Sequence, residues 1–550
     1  MLYRDISKAL GFYLWIFLLP LAIPTGIAIY TDWIIGPQLY PQPSCAFAFL
    51  ITMIATAILG FIFWFLGRKA TGQLFRREGL LLVIIIYVLT CVIGGAPFFL
   101  NGTFSNPIDA FFESVSGFTT TGATLMQPKQ YDPETGKEIP YVTTFITGSS
   151  TTYRFDGTIT PVTNKAGETI LTGIEAVSPA LLFWRSFTQC LGGGGIIVLF
   201  VAILPALGVG GKILYQAEVT GPTKDSIFPR IKETASLLWK VYLGLIALEV
   251  FLLMVTNEKV TFFDAITISF STLSTGGFTP LNEGLVALKS SATNWIVIIF
   301  MLFGSINFTL YFMLMRGKFS RLNDPELKAF LGIVICVCAI ATWQLYGIEK
   351  DSLTAQFSGP GQYSFMEALE YGSFQVVSAQ TSTGFATSNF NIWPFSIQVL
   401  MLILFFVGGM AGSTAGGIKI IREQIFVRVM INKIESIFRP DTVREYRIGS
   451  SFINSNTAMT VLCFIMVVAS FSILSTFAFV LDGVDPETAF SSVGCMINNI
   501  GFAFRMAGPT HSFAFLSNFG KLLSCFLMIA GRLEFFAILI AFIPSFWRSS

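Results

Sequence analysis

Ten stretches of this 550-residue sequence are apolar for long enough to cross a membrane, and that constrains the fold more than any other feature. They lie near 12–30, 46–66, 80–100, 180–206, 234–256, 292–315, 328–346, 395–431, 453–481 and 513–546. About 20 apolar residues in a helix cross ~30 Å of hydrocarbon. In lipid each backbone N–H and C=O must be satisfied internally, which leaves helices as the spanning form for runs of this kind. Composition agrees: charged residues make up 12% of the chain and hydrophobic ones 53%, against about 25% charged in soluble domains. A net charge of +2 offers no basic footprint for nucleic acid. The sequence predicts an all-α polytopic protein of ten transmembrane helices embedded in the lipid bilayer.

Charge sets the orientation. With the N-terminus inside, the inner segments and their flanks (1–11, 67–79, 207–240, 316–328, 418–452, 547–550) hold 23 Lys/Arg in 110 residues. The outer connections (31–45, 101–179, 257–291, 347–394, 482–512) hold 8 in 208. The asymmetry predicts that both termini are cytoplasmic. The eight cysteines, mostly in apolar stretches, read as small buried hydrophobes rather than metal ligands or disulfides.

Four of the five outer connections contain an apolar stretch too short to span, followed by a Gly/Ser/Thr-rich strip. The strips are Ser114–Thr124, Ser269–Thr279, Val377–Thr387 and the more divergent Val493–Ala503. Aligned by residue type, Gly122, Gly276, Gly384 and Gly501 register, at intervals of 154, 108 and 117 residues. The first interval carries an insertion within 126–178 that reads as a hairpin region over an outer mouth. Each copy therefore reads span, pore helix, strip, span. The units are 79–233, 234–325, 326–449 and 450–550, after a two-helix unit at 1–78.

Glycine permits dihedrals closed to other residues, so successive carbonyls can aim at one axis, and four such strips can replace an ion's water shell with backbone oxygens. The candidate carbonyls are those of Thr120, Thr121 and Gly122, then Ser274, Thr275 and Gly276, Ser382, Thr383 and Gly384, and Asn499, Ile500 and Gly501. Asp109, Asp264, Glu367 and Glu487 begin the four pore helices, where carboxylates cap and complement the helix dipole. A membrane enzyme is disfavoured by a single histidine, His511, and by the lack of a metal cluster or a Ser/His/Asp set.

With these strips, Leu182–Gly195, Gly408–Lys419 and Gly531–Glu534, the chain resembles the TrkH/KtrB/HKT superfamily of potassium transporters, most of all its TrkH/TrkG branch. The resemblance covers nearly the whole chain. It implies potassium uptake across the cell inner membrane, with a sodium-permeable member of the same superfamily as the alternative. It also implies a homodimer and a cytoplasmic TrkA-type ring of RCK domains. NAD or ATP would then bind that partner, and this chain would hold no covalent cofactor. The run 395–431 is broken by Gly408, Gly409, Gly412, Ser413, Thr414, Gly416 and Gly417. The resemblance makes this break a gate loop beneath the filter and puts Arg532 beside the pore as an electrostatic barrier. Arg185 and Lys521 read as packing or snorkelling residues, and the glycines at 192–195 as sites of close helix approach.

Overall fold

The computed structural model describes residues 3–36, 39–70, 72, 76–132, 134–147, 149–164, 168–195, 231–439, 446–449 and 451–547. The far part of the 180–206 run, the segment 207–230 and both chain ends lie outside the described residues.

Helices α1 (Tyr3–Ile29) and α2 (Ala46–Leu66) pack along each other. Glycine makes this possible: a Cβ at Gly11 would lie 2.8 Å from the Gly60 carbonyl oxygen. On α2 only a stripe including Phe49, Thr52, Thr56 and Gly60 is buried, while Ile51, Ile54, Ile58 and Phe61 are exposed. An apolar helix with one buried stripe presents the rest of its surface to lipid.

Four segments of like element order follow, taken in turn as the expected repeats, and their short helices keep the name pore helix used for them above. The first comprises α3 (Arg76–Leu100), pore helix α4 (Pro107–Phe118) and α5 (Pro179–Gly193). The second has α6 (Ile231–Thr256), pore helix α7 (Phe262–Leu273) and a span in two pieces, α8 (Ser291–Ser305) and α9 (Phe308–Met315). In the third, α10 (Pro325–Leu345) and pore helix α11 (Phe365–Gln380) precede α12 (Phe395–Phe406) and α13 (Ile420–Phe438). The fourth holds α14 (Ser455–Leu481), pore helix α15 (Pro486–Asn498), α16 (Asn518–Arg532) and α17 (Phe536–Phe542). Among the described residues six helices are long and apolar enough to cross a membrane, or eight if each bent pair is one span. The other two apolar runs are the broken 395–431 and the partly described 180–206. The protein is a multi-pass membrane protein.

Each pore helix starts on a cap that its sequence supplies. Asn106 and Asp485 accept from the N–H of Ile108 and Thr488, with a proline next in both cases. Thr261 with Asp264, and Ser364 with Glu367, form reciprocal capping boxes.

Two bends were not legible in the sequence. The α8–α9 pair turns by 95° and the α16–α17 pair by 119°. The first follows from hydrogen bonding. The loop after α12 donates from Met410 N to Ser305 O at 3.0 Å, from Thr414 N to Gly304 O at 3.1 Å, and accepts from Phe308 N at Gly412 O, 3.1 Å. Backbone groups freed by the break are thus satisfied by another broken segment, as the membrane interior demands. At the second bend Glu534 and Phe535 adopt positive φ (56° and 27°), and Phe535 N reaches back to Ala530 O.

The insertion forms an antiparallel hairpin, β1 (Tyr141–Thr147) with β2 (Ser149–Phe155). Buried Tyr153 donates from its hydroxyl to Asp485 Oδ2 at 2.6 Å and accepts from Asp485 N at 2.9 Å, fastening the hairpin to the start of α15. Of the cysteines, five are buried, Cys338 is half-buried, and Cys336 and Cys463 are exposed on the flanks of α10 and α14. The expectation that all eight are buried is corrected on these three.

Candidate functional site

The four strips leave their pore helices by the same path. Thr120, Thr275, Ser382 and Asn499 stand at φ of 54°, 54°, 56° and 53°. Two residues later Gly122, Gly277, Gly384 and Gly501 stand at 83°, 78°, 86° and 103°. Between them Thr121, Gly276, Thr383 and Ile500 donate their N–H to Ser116, Ser271, Ser378 and Cys495 carbonyls at 2.9, 2.8, 2.9 and 3.1 Å. Left-handed torsions at threonine and serine are strained, by ~1–2 kcal/mol each, and they stand at equivalent places in three segments, with Asn499, a residue that tolerates this region, in the fourth.

This geometry corrects the alignment by residue type. The glycine equivalent to Gly122, Gly384 and Gly501 is Gly277, not Gly276, so the second carbonyl set moves from Ser274, Thr275 and Gly276 to Thr275, Gly276 and Gly277. Two adjacent glycines cannot be told apart by letter, but only one has positive φ. The divergent fourth strip keeps the fold of the others, with Asn499, Ile500 and Gly501 in register.

The strips close into a ring. A Cβ on Gly122 would strike the Gly276 carbonyl oxygen, on Gly277 that of Thr383, on Gly384 that of Ile500, and on Gly501 that of Thr121. The sequence of contacts runs from repeat one to two, three, four and back to one. All four positive-φ glycines line a cavity of about 540 Å³ on the hairpin side. Each pore helix ends at the ring, so four partly negative helix C-termini converge there and favour a cation.

On the other side of the ring lies a second cavity, about 170 Å³, bordered by Tyr242, Ser413, Thr414, Lys419, Asn499 and Arg532. The broken segment between α12 and α13 forms its wall, with Val407 bridged to Ile418. Thr414 donates through Oγ1 to Leu273 O at 2.8 Å and Gly304 O at 2.9 Å. A Cβ on Gly416 would clash with Asn498 O, and one on Gly409 would lie 3.1 Å from Ser305 O. The loop thus lies against the base of the second and fourth strips, and Gly408 and Gly416 admit backbone where side chains cannot fit. Arg532 donates to Thr414 O at 2.9 Å and Gly192 O at 2.8 Å, linking the loop to the first repeat. Glu534 pairs with Arg422, whose guanidinium also lies over Phe464. Lys419 reaches back to the Ala415 carbonyl.

Several residues at the site were missed or misread in the sequence. Glu326, at the start of α10, accepts at Oε1 from Ala411 N at 2.8 Å and Ile421 N at 3.2 Å, holding both sides of the helix break. Of the two roles expected of Arg185, packing and snorkelling, it takes the first. It is buried, pairs with Glu113 at 2.7 Å, donates to Thr279 O at 2.9 Å, and stacks 3.6 Å from the Phe278 centroid. Glu113 also accepts from Thr124 Oγ1 and Leu125 N, so one buried ion pair braces the exits of two strips. Losing one partner of such a pair costs about 3–5 kcal/mol. A signal was available: Glu113 and Arg185 are charges inside apolar segments, where charge is rare and partnered. Gly192 and Gly193 do admit close approach, to Phe118 O and to Ser274.

The four carboxylates at the pore-helix starts all have local partners. Asp264 and Glu367 complete capping boxes; Asp109 pairs with Lys521 at 2.7 Å, Glu367 with Lys350 at 2.7 Å, and Glu487 with Arg505. His511 borders the hairpin-side cavity.

Comparison with known proteins agrees with this architecture. Residues 159–549 match the TrkH family, described as cation transport protein. The Trk system potassium uptake protein TrkH of Salmonella typhimurium is 32% identical over 99% of both chains. TrkG of Escherichia coli, also a Trk system potassium uptake protein, is 30% identical over 99% of both. The crystal structure of the potassium transporter TrkH from Vibrio parahaemolyticus superposes with a TM-score of 0.76 at 29% identity, covering 100% of each chain.

Proposed function

The chain belongs to the TrkH family of cation transport proteins, and from that premise we propose that it carries potassium inward through the ring of four strips. The observation that carries the reading is the closed ring itself. Four glycines abut the carbonyls of their neighbours in cyclic order, at the convergence of four helix C-termini. Backbone oxygens so arranged replace the hydration shell of a dehydrated cation. The protein is a transporter rather than an enzyme, as its relatives' names indicate.

A membrane potential, inside negative, supplies about 2.3 kcal/mol per unit charge per 100 mV. At 1.4 kcal/mol per factor of ten, that drives roughly fifty-fold accumulation without chemistry in this chain. The hairpin side is the outer mouth, and the cavity at Arg532 is the inner one. The loop 408–417 obstructs the path and moves for ions to pass, with Arg532 as the positive barrier it rests on. The units 79–233, 234–325, 326–449 and 450–550 are the four pore repeats. The membrane is the cell inner membrane, with both termini cytoplasmic. The protein works as a homodimer with a cytoplasmic RCK-type ring that holds NAD or ATP; basic residues on and beside α13 (Arg428, Lys433, Arg439) supply a docking face.

The test is rubidium and sodium uptake by purified protein in vesicles. Wild type takes up rubidium in large excess over sodium, and Gly384→Ser loses that preference. Equal uptake of both ions by wild type favours the sodium-permeable alternative. A Gly384→Ser protein with unchanged preference refutes the ring as the filter.

A further inference from the structure

One of the four ring carbonyls has a partner that the other three lack. Gln189, on α5 and fully buried, donates from Nε2 to Gly276 O at 2.6 Å and accepts at Oε1 from Phe278 N, 3.2 Å. The two contacts fix the orientation of the amide, because exchanging its oxygen and nitrogen would break both. Among the described residues no hydrogen bond reaches the carbonyls of Thr121, Thr383 or Ile500, the equivalents of Gly276. The difference has a steric origin. At the Gly276 position the other strips carry a side chain, and a Cβ there would lie 2.6 Å from Gln189 Oε1. In repeats one and three the side chain is a threonine whose hydroxyl pairs with Thr119 or Thr381 at 2.7 Å. Repeat two has no side chain there, and Gln189 fills the space from behind. Arg185, one helical turn earlier on α5, grips the same strip at Thr279 O and Phe278.

We propose that Gln189 is a positioning residue for cation discrimination: its amide tethers the Gly276 carbonyl and keeps the ring from contracting around a smaller ion. The proposal rests on the reading of the strips as the ion path. A sodium ion needs shorter oxygen distances than potassium or rubidium. Three carbonyls are free to follow it inward, while the fourth must stretch its bond to Gln189 to do so. The tether therefore penalises the small ion and leaves the large one nearly unaffected.

The test uses the full chain in vesicles, with rubidium and sodium uptake read as a ratio. Gln189→Met keeps the side-chain length and removes both hydrogen bonds. We expect it to keep rubidium uptake within a small factor of wild type and to lower the rubidium-to-sodium ratio about tenfold, the scale of one hydrogen bond. A second variant, Gln189→Ala with Gly276→Thr, gives repeat two the threonine of its neighbours, refills the space and still lacks the amide; its ratio falls likewise. If either folded variant keeps the wild-type ratio while Gly384→Ser loses it, the tether is refuted and the filter reading stands. If Gly384→Ser also keeps the ratio, the filter reading fails and the tether with it.

Discussion

At Gly276 and Gly277 two identical residues meet opposite demands. Gly277 has positive φ and faces the Thr383 carbonyl, backbone that cannot step aside; Gly276 has an ordinary torsion and faces only the Gln189 side chain. Gly277→Ala is therefore expected to abolish most rubidium uptake, whereas Gly276→Ala retains a measurable share because Gln189 can shift. The reverse ranking, measured on equal amounts of reconstituted protein, would refute the register found here. Composition and spacing were enough to find the strips. They could not choose between adjacent glycines, because that choice lives in a torsion angle. Nor could they show what Gln189 does, since its partners lie 87 and 89 residues away.

The helices show the same division between what is local and what is not. The break after α12 was legible, because five glycines within 408–417 interrupt an apolar run. The bends at Ile306 and Glu534 were not, because each follows a lone glycine, Gly304 or Gly531, and single glycines are common in membrane helices that run straight. The bends arise from partners elsewhere in the chain, chiefly loop amides that take up the carbonyls of Gly304 and Ser305. Glu326 belongs to this scale too, since a single carboxylate oxygen holds both sides of the loop. Glu326→Ala strands two buried N–H groups, at about 1–3 kcal/mol each, and loosens the loop. We expect it to raise basal rubidium leak, with Glu326→Gln, which keeps an acceptor, falling between it and wild type. Deleting 410–416 should raise the leak further. Leak rates no higher than wild type in all three would remove the gate.

For the whole molecule, hydropathy was sufficient to read a multi-pass helical membrane protein, because lipid imposes one rule on every span. The place of the insertion was less legible, since a hairpin's strands reveal themselves in sequence but their docking surface does not. Tyr153 joins it to Asp485, 332 residues on, where a buried hydroxyl serves as donor and acceptor at once. Tyr153→Phe removes that pair and should lower the thermal midpoint of the detergent-purified protein by a few degrees, consistent with ~1–3 kcal/mol, with rubidium preference intact. An unchanged midpoint would mean that the hairpin rests on the pore unit without bracing it. The cyclic contact of the strips has a further consequence. Because one polypeptide supplies all four quarters, each can be altered singly, in pairs or in threes, which identical subunits from one gene do not allow. A substitution here alters one quarter of the ring and leaves the other three as they were, and Gly276 with Gln189 is a contact that one quarter carries alone among the described residues.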